Sequence, residues 1–180
     1  MYDAELRPIM NIENIIGDYR AFFYDLLRRS KKTGISMSGM AMSHLLYRVV
    51  TLPEYEQMRD QIKIHCRGFV ETQFNGRAVS ILILKEPLLL HDGFEVSMIE
   101  LPAPRSVHMY PSGLESIGTV VGKKLPEFIK KYNDVLTGIK DHGQHCQPAF
   151  VTFDNEKTIK FYEISLEEIV MLQGWQIEKL

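Results

Sequence analysis

The sequence predicts an α+β protein in which a strand–helix–strand–strand–strand module occurs twice. Two predicted helices open with the same Leu-Pro-Glu-aromatic string, at 52–55 and at 125–128, and an apolar strand precedes each of them. Asn75-Gly76 lies between two apolar runs, which is a strong β-hairpin signal. A unit that recurs at matched spacing indicates an internal repeat. We therefore expect curled mixed sheets with helices on one face and a concave surface on the other.

Length, charge and cysteine content limit the classes of protein to which this chain can belong. The chain has 180 residues, 45% apolar and 24% charged, with a net charge of −2. This size fits one domain or two small fused halves, and the mixed charge predicts no nucleic-acid partner. Cys66 and Cys146 have no paired spacing, which is typical of reduced thiols in a cytoplasmic protein. The first 30 residues contain no long apolar run, so we expect neither a signal peptide nor a membrane span.

The chain begins with an N-terminal helical segment, 1–36, in which residues 11–32 have helical periodicity. Apolar side chains recur there at spacings of three and four: Ile12, Ile15, Ile16, Tyr19, Phe22, Phe23, Leu26 and Leu27. Basic residues crowd its C-terminal end, which is compatible with a membrane-surface helix or with a helix packed on the domain. We favour packing on the domain.

The first module, 37–102, begins with a strand at 40–50 that places Met42, His44, Leu46 and Arg48 on one face. The remaining predicted elements are a helix at 52–66, opened by Pro53, and strands at 69–74, 77–85 and 93–102. In the last of these strands, period two puts Phe94, Val96, Met98 and Glu100 on one face. A carboxylate that ends an apolar stripe needs a metal, a cation, a hydrogen-bond partner or water to compensate it.

A crossover, 103–114, leads to the second module, 115–180, which is shortened. Its predicted elements are a strand at 115–122, a helix at 125–136, a hairpin of strands at 149–153 and 158–164, and a helix at 165–172 with a capping box. One strand that the repeat requires is hard to find between Thr137 and Gln147.

Several cations and one ligand-rich cluster have alternative interpretations. Arg48, on the His44 face, either clamps an anionic ligand or pairs with a neighbouring acid such as Glu100. Lys160 shares a strand face with Tyr162 and brings a second cation to the concave region. A further group of candidates comprises His142, His145 and Cys146 in one loop, and Arg105 and His108 in the crossover. For these we favour solvated polar loops over a metal site or a pocket rim.

Strings of residues across positions 40–170 resemble the YecM family, bacterial proteins of the vicinal-oxygen-chelate (glyoxalase/dioxygenase-like) superfamily. The strings are Ser43-His44 with Arg48, Asn75-Gly76-Arg77, Ser97-Met98-Ile99-Glu100-Leu101-Pro102, Tyr110-Pro111, Thr158-Ile159-Lys160-Phe161 and Ile164-Ser165-Leu166-Glu167-Glu168-Ile169-Val170. The resemblance implies a vicinal-oxygen-chelate fold of two βαβββ-type modules, here with an extra N-terminal helix and a short C-terminal one.

The resemblance also implies a divalent metal in the concave face, held at four positions: His44, Glu100, Ser116 and Tyr162. The relatives carry histidine at the last two positions, whereas a serine hydroxyl and a tyrosine with a pKa near 10 are poor ligands. We therefore expect a degraded site with low occupancy of zinc, manganese, nickel or iron.

Three functions remain open from the sequence. The chain is a metal-free small-molecule binding protein, a metal-dependent isomerase- or dioxygenase-like enzyme acting on a small oxygen-rich acid, or an interaction protein with an incidental cavity. The residues at 116 and 162 favour the first of these. Its ligand, expected to be an anion, would contact Arg48, Met98, Lys160 and Tyr162.

Overall fold

A computed structural model describes residues 10–105, 111–143 and 145–180, which form five helices and nine strands. The elements are α1 (Ile12–Ile16), α2 (Tyr19–Lys32), β1 (Ala41–Arg48), α3 (Leu52–Lys63), β2 (Cys66–Phe74), β3 (Arg77–Leu89), β4 (Glu95–Pro102), β5 (Gly113–Val120), α4 (Leu125–Lys131), β6 (Gly138–Ile139), β7 (Ala149–Thr152), β8 (Thr158–Tyr162), α5 (Leu166–Leu172) and β9 (Glu178–Lys179). In the described part of the chain, no helix is long and apolar enough to cross a membrane.

The repeat is visible in the topology of the sheet, whose strand order is β6-β7-β8-β5-β1-β4-β3-β2-β9. β1 and β5 pair antiparallel at the centre, β1 runs parallel to β4, and β5 runs parallel to β8. Each module therefore places its four strands in the same order outward from the centre. The predicted α+β fold of two βαβββ modules is confirmed, and the two modules share one continuous sheet.

The register between β1 and β5 is compatible with the equivalence of His44 and Ser116 that the resemblance implies. His44 pairs with Gly118, and Leu46 pairs with Ser116. Exchanging the modules about a twofold axis between these pairs maps His44 onto Ser116 and Leu46 onto Gly118. The serine is thus the second-module counterpart of the histidine.

The apolar residues of the sheet divide between its two faces. The larger cluster lies under the helices. It includes five fully buried side chains: Leu45, Ile99, Ile117, Ile159 and Phe161. The smaller cluster, on the concave face, comprises Val70, Val79, Ile81, Ile83, Met98, Leu166 and Val170, with Phe74, Trp175 and Ile177 packed against it. The C-terminal segment reaches this cluster because β9 pairs with β2.

Three predictions about individual elements were wrong or incomplete. The helix predicted at 11–32 is two helices, since Gly17 takes a φ of 83° and the Asp18 side chain caps α2. The missing strand of the second module is β6, whose two residues are too few to show an alternating pattern. The stripe expected from Phe94 to Glu100 is also broken.

That stripe fails because Phe94 and Val96 pack in the helix-side core, whereas Met98 packs on the concave face. The pairing of β4 with β3 shifts its register between Ile83 and Leu88. A shifted register interrupts strict alternation, so period two describes only the part of the strand from Met98 onward.

Candidate functional site

His44 and Glu100 meet on the concave face because they lie on the adjacent strands β1 and β4. His44 is fully buried, and its Nε2 is 3.3 Å from Oε2 of Glu100. Two of the four positions that the resemblance implies are therefore in contact. The carboxylate is not aligned with the ring N–H, however, so Nε2 has no well-directed hydrogen-bond partner among the described residues.

Ser43 orients the imidazole from its other side. Its Oγ accepts a hydrogen bond from the backbone N–H of Leu166 at 2.8 Å and lies 2.9 Å from Nδ1 of His44. Since the oxygen already accepts one bond, the hydroxyl proton is available to Nδ1. When Nδ1 accepts this bond, the ring carries a proton on Nε2, on the side that faces Glu100.

Gly118 gives the imidazole its space. A Cβ at this position would lie 2.5 Å from Cε1 of His44 and 3.0 Å from Cε2 of Tyr162. The Tyr162 and His44 rings pack edge to face with centroids 5.4 Å apart. Burial, and then the Glu100 carboxylate, raise the pKa of Tyr162 well above 10, so its phenol stays protonated.

Glu100 is ionised in spite of its surroundings. Burial raises the pKa of its carboxyl, but His44 and the cations Lys160 and Arg48 outweigh burial and lower it. The Glu100 side chain keeps 21% of its surface exposed. An anionic acceptor therefore remains available at the cavity.

The second module presents different chemistry at the equivalent strand positions. Glu100 lies beside Leu46 in β1–β4, and Lys160 lies beside Gly118 in β5–β8. Because Gly118 is the counterpart of Leu46, Lys160 is the counterpart of Glu100 by register. Lys160 is 5% exposed, and no described residue accepts a hydrogen bond from its ammonium or pairs with it directly. Tyr162 lies two residues further along β8.

Ser116 adds another polar atom without a partner. The side chain is fully buried, and its Oγ has no hydrogen-bond partner among the described residues. It lies on β5, one strand away from His44 in β1. A buried hydroxyl without a partner is costly, so this corner has unused hydrogen-bonding capacity.

The concave face encloses a cavity of about 370 Å³. Its lining combines polar, mostly cationic side chains with apolar ones. The polar residues include Arg48, Arg77, Glu100, Arg105, Lys140, Asp141, His142, Lys160 and Tyr162, and the apolar residues include Leu46, Phe74, Val79, Ile81, Leu166, Ile169 and Trp175. The contribution of Lys140 was missed, since nothing in the sequence pairs its loop with β8.

Arg48 and Met98, two of the residues predicted to contact a ligand, have different neighbours from those that the prediction requires. Arg48 lines the cavity but pairs with Glu115, with Nη2 3.0 Å from Oε1. The neighbouring-acid interpretation of Arg48 therefore describes the structure, with Glu115 as the acid. Met98 lines an adjacent cavity of about 300 Å³ and does not contact the one that holds Lys160.

The histidine- and cysteine-rich loop is only partly at the cavity. His142 and Cys146 line it, whereas His145 is exposed. Burial, followed by the nearby Lys160 and Lys140, lowers the pKa of His142. Burial, followed by Glu100, raises the pKa of Cys146 to about 11, so the thiol is protonated at neutral pH.

Of the two crossover candidates, Arg105 lines the cavity, and His108 lies outside the described residues.

The donors present do not fit a tight divalent-metal site. His44 and Glu100 are suitable ligands, but the other two predicted positions offer a neutral hydroxyl and a phenol held in its protonated form. Throughout the described residues, no three histidine, cysteine, aspartate or glutamate side chains converge as a metal site would require. The ammonium of Lys160 is also unfavourable for a second cation nearby.

Comparisons with known proteins identify relatives along almost the whole chain. The family model described as YecM protein matches residues 11–173. Protein YecM of Escherichia coli (strain K12) is 24% identical over 93% of this chain and 96% of its own length. A solved structure described as structural-genomics Protein EC4020 has a TM-score of 0.71 at 24% identity, covering 93% of this chain and 99% of its own. A mutant 4-hydroxymandelate synthase from Streptomyces coelicolor has a TM-score of 0.42 at 6% identity, covering 68% and 49%.

Proposed function

This chain belongs to the YecM protein family, and we propose that it is a small-molecule binding protein whose concave cavity holds an organic acid. The observation that carries the proposal is Lys160. Its side chain is only 5% exposed, lines the cavity and forms no direct ion pair with a described residue. A charge so far removed from bulk water is stabilised by pairing, and a bound carboxylate would be such a partner.

The rest of the cavity restricts the kind of acid. Glu100 lines the same cavity as an ionised acceptor, close enough to Lys160 to feel its charge. A ligand that carries a hydroxyl or amine next to its carboxylate would satisfy both residues at once. The apolar wall, which includes Ile81, Leu166 and Trp175, favours an apolar or aromatic remainder.

The predicted site residues take different parts in this proposal. Lys160 binds the carboxylate and Tyr162 offers a protonated hydroxyl, whereas Arg48 contributes its charge while paired with Glu115. His44 and Glu100 remain proposed metal positions, with low occupancy because only two strong ligands are present. The two free cysteines support a cytoplasmic location, which is part of the proposal.

Three matched compounds test the proposal: 3-phenyllactate, 3-phenylpropanoate, which lacks the hydroxyl, and 3-phenylpropane-1,2-diol, which lacks the carboxylate. Isothermal titration calorimetry with a chelator present should show tightest binding for 3-phenyllactate. Loss of a charge-assisted contact weakens binding by roughly tenfold to a hundredfold. We expect that loss for the diol, and also for 3-phenyllactate titrated into Lys160→Met.

Lys124→Met is the matched control, because it removes an exposed lysine of the same module and should leave the affinity unchanged. Far-ultraviolet circular dichroism and the melting temperature verify that each variant is folded. The proposal is overturned if none of the compounds binds, or if Lys160→Met binds 3-phenyllactate as tightly as the natural protein does.

A further inference from the structure

We infer that Lys160 supplies, from within the chain, the positive charge that a divalent metal would otherwise bring to Glu100. In this interpretation the first module contributes the carboxylate of Glu100, and the second module contributes the ammonium of Lys160 at the equivalent position. This inference rests on the proposed function only where it says that the ammonium of Lys160 also binds an organic acid. The role of Lys160 toward a metal can be tested with metal alone, without any organic acid.

The first support is the register of the sheet. Leu46 lies beside Glu100, and Gly118, the counterpart of Leu46, lies beside Lys160. Strand pairing thus places the carboxylate and the ammonium at matching points of the two modules. A metal ion between these two positions would be bound by the carboxylate of Glu100 and repelled by the ammonium of Lys160.

The second support is the position of Lys160 relative to Glu100. Both side chains line the same cavity, and among the described residues no direct ion pair joins them. A cation that stands off from the carboxylate leaves room between them for a ligand, while it still offsets the buried negative charge. The ammonium therefore performs the electrostatic part of the role of a metal without occupying ligand space.

The third support is the charge of the surroundings. Lys140 and His142 line the same cavity as Lys160, together with Arg48, Arg77 and Arg105. The other acid that lines the cavity, Asp141, accepts hydrogen bonds from the Gly143 N–H and the Gln147 amide. Glu115 is engaged by Arg48. An added divalent cation would enter a region that already carries more positive charge than negative.

Two rebuilt proteins distinguish this inference from simple loss of ligands. Ser116→His/Lys160→Glu removes the ammonium and creates a set of two imidazoles and two carboxylates. Ser116→His/Tyr162→His creates three imidazoles and a carboxylate but keeps the ammonium. Both sets suit manganese or zinc by ligand type. The two sets differ in ligand type as well as in the ammonium, so Lys160→Gln in the natural protein is measured beside them to isolate the effect of the charge.

Each protein is stripped with chelator and titrated with MnCl₂ by calorimetry, and its melting temperature is recorded with and without the metal. We expect Ser116→His/Lys160→Glu to bind about one equivalent and to melt higher with metal, as ligand linkage requires. Ser116→His/Tyr162→His should bind roughly tenfold or more weakly because the ammonium repels the ion. The natural protein should respond least.

Equal or tighter Mn²⁺ binding by Ser116→His/Tyr162→His would overturn the inference, and so would a folded Ser116→His/Lys160→Glu that ignores Mn²⁺. If that variant does not fold, Lys160→Gln replaces it. Removing the ammonium alone should then increase the affinity for Mn²⁺ above that of the natural protein, and an unchanged affinity would contradict the inference. A failure of 3-phenyllactate to bind, with the metal series as expected, would remove the proposed function and leave this inference standing.

Discussion

The two modules share a topology and differ in chemistry at the point where they meet. The first contributes a buried imidazole and a carboxylate, His44 and Glu100, which lie 3.3 Å apart. The second contributes Ser116 and Lys160 at the equivalent strand positions, and neither has a direct partner among the described residues. One module presents an imidazole and a carboxylate in contact, and the other presents a hydroxyl and an ammonium that do not form such a direct pair.

The two faces of the repeated sheet are under different constraints, since packing against the helices restricts the residues of one face only. On the helix side the modules agree, since Ile99 and Ile159 occupy matching register positions and both are fully buried. On the concave side no packing requirement forces agreement, so a carboxylate in one module can face an ammonium in the other. Function therefore has to be argued from the site and not from the fold.

The largest expected effect tests the agreement on the helix side. Ile99→Ala and Ile159→Ala should each lower the free energy of unfolding by about 2–5 kcal/mol, because each leaves a cavity in the core. Urea denaturation followed by circular dichroism should give a single transition for both, since β1 and β5 join the modules in one sheet. Two separate transitions would show that the modules unfold independently.

Gly118→Ala tests the space that the second module leaves for the imidazole of the first. The added methyl would enter the His44 ring, so we expect a loss of about 1–3 kcal/mol from overpacking. Gly138→Ala is the control, because its Cβ would meet only the Phe150 ring, at 3.3 Å. Equal melting temperatures for the two variants would mean that the ring is not held against Gly118.

Glu100→Gln tests the charge of the pair of His44 and Glu100 through its pH dependence. Because folding lowers the pKa of Glu100, its ionisation stabilises the protein above the ordinary value of 4.5, and that stabilisation is lost as the pH falls below it. At pH 7 the variant should be less stable by about 1–2 kcal/mol. Urea titrations at successively lower pH should show the difference shrinking, and a difference that grows toward acid would contradict the ionised pair.

The smallest effect concerns Ser43, which orients the imidazole. Ser43→Ala removes the acceptor of the Leu166 N–H at the start of α5, with an expected cost of about 1 kcal/mol. Ser38→Ala, in an exposed loop, is the matched control and should melt like the natural protein. A comparable loss in both variants would indicate that the contact contributes nothing specific.

Much of the fold could be predicted because local patterns determine it. The repeated Leu-Pro-Glu opening, the Asn75-Gly76 turn and the faces of the strands around His44 and Lys160 all follow from short-range rules. The break at Gly17 and the two-residue β6 could not be predicted, since one glycine or two residues do not alter a periodic pattern enough. The division into segments 1–36, 37–102, 103–114 and 115–180 stays a prediction.

The site was less predictable because register is a property of paired strands and not of one strand. Alternation placed His44, Glu100 and Lys160 on concave faces, and their shared location follows from that. The equivalence of Lys160 with Glu100 required the pairing of four strands. The partner of Arg48 required the irregular register of β5 around Glu115, which no sequence period indicates.

The central claim is that an ammonium from the second module stands in for a metal beside the pair in the first. Its most direct test is the metal content of the natural protein, produced in medium supplemented with zinc, manganese, nickel and iron and purified without chelator. We expect elemental analysis to find far less than one equivalent of any of these metals, and chelator to leave the melting temperature unchanged. One equivalent of a single metal, whose removal by chelator lowers the melting temperature, would contradict the claim.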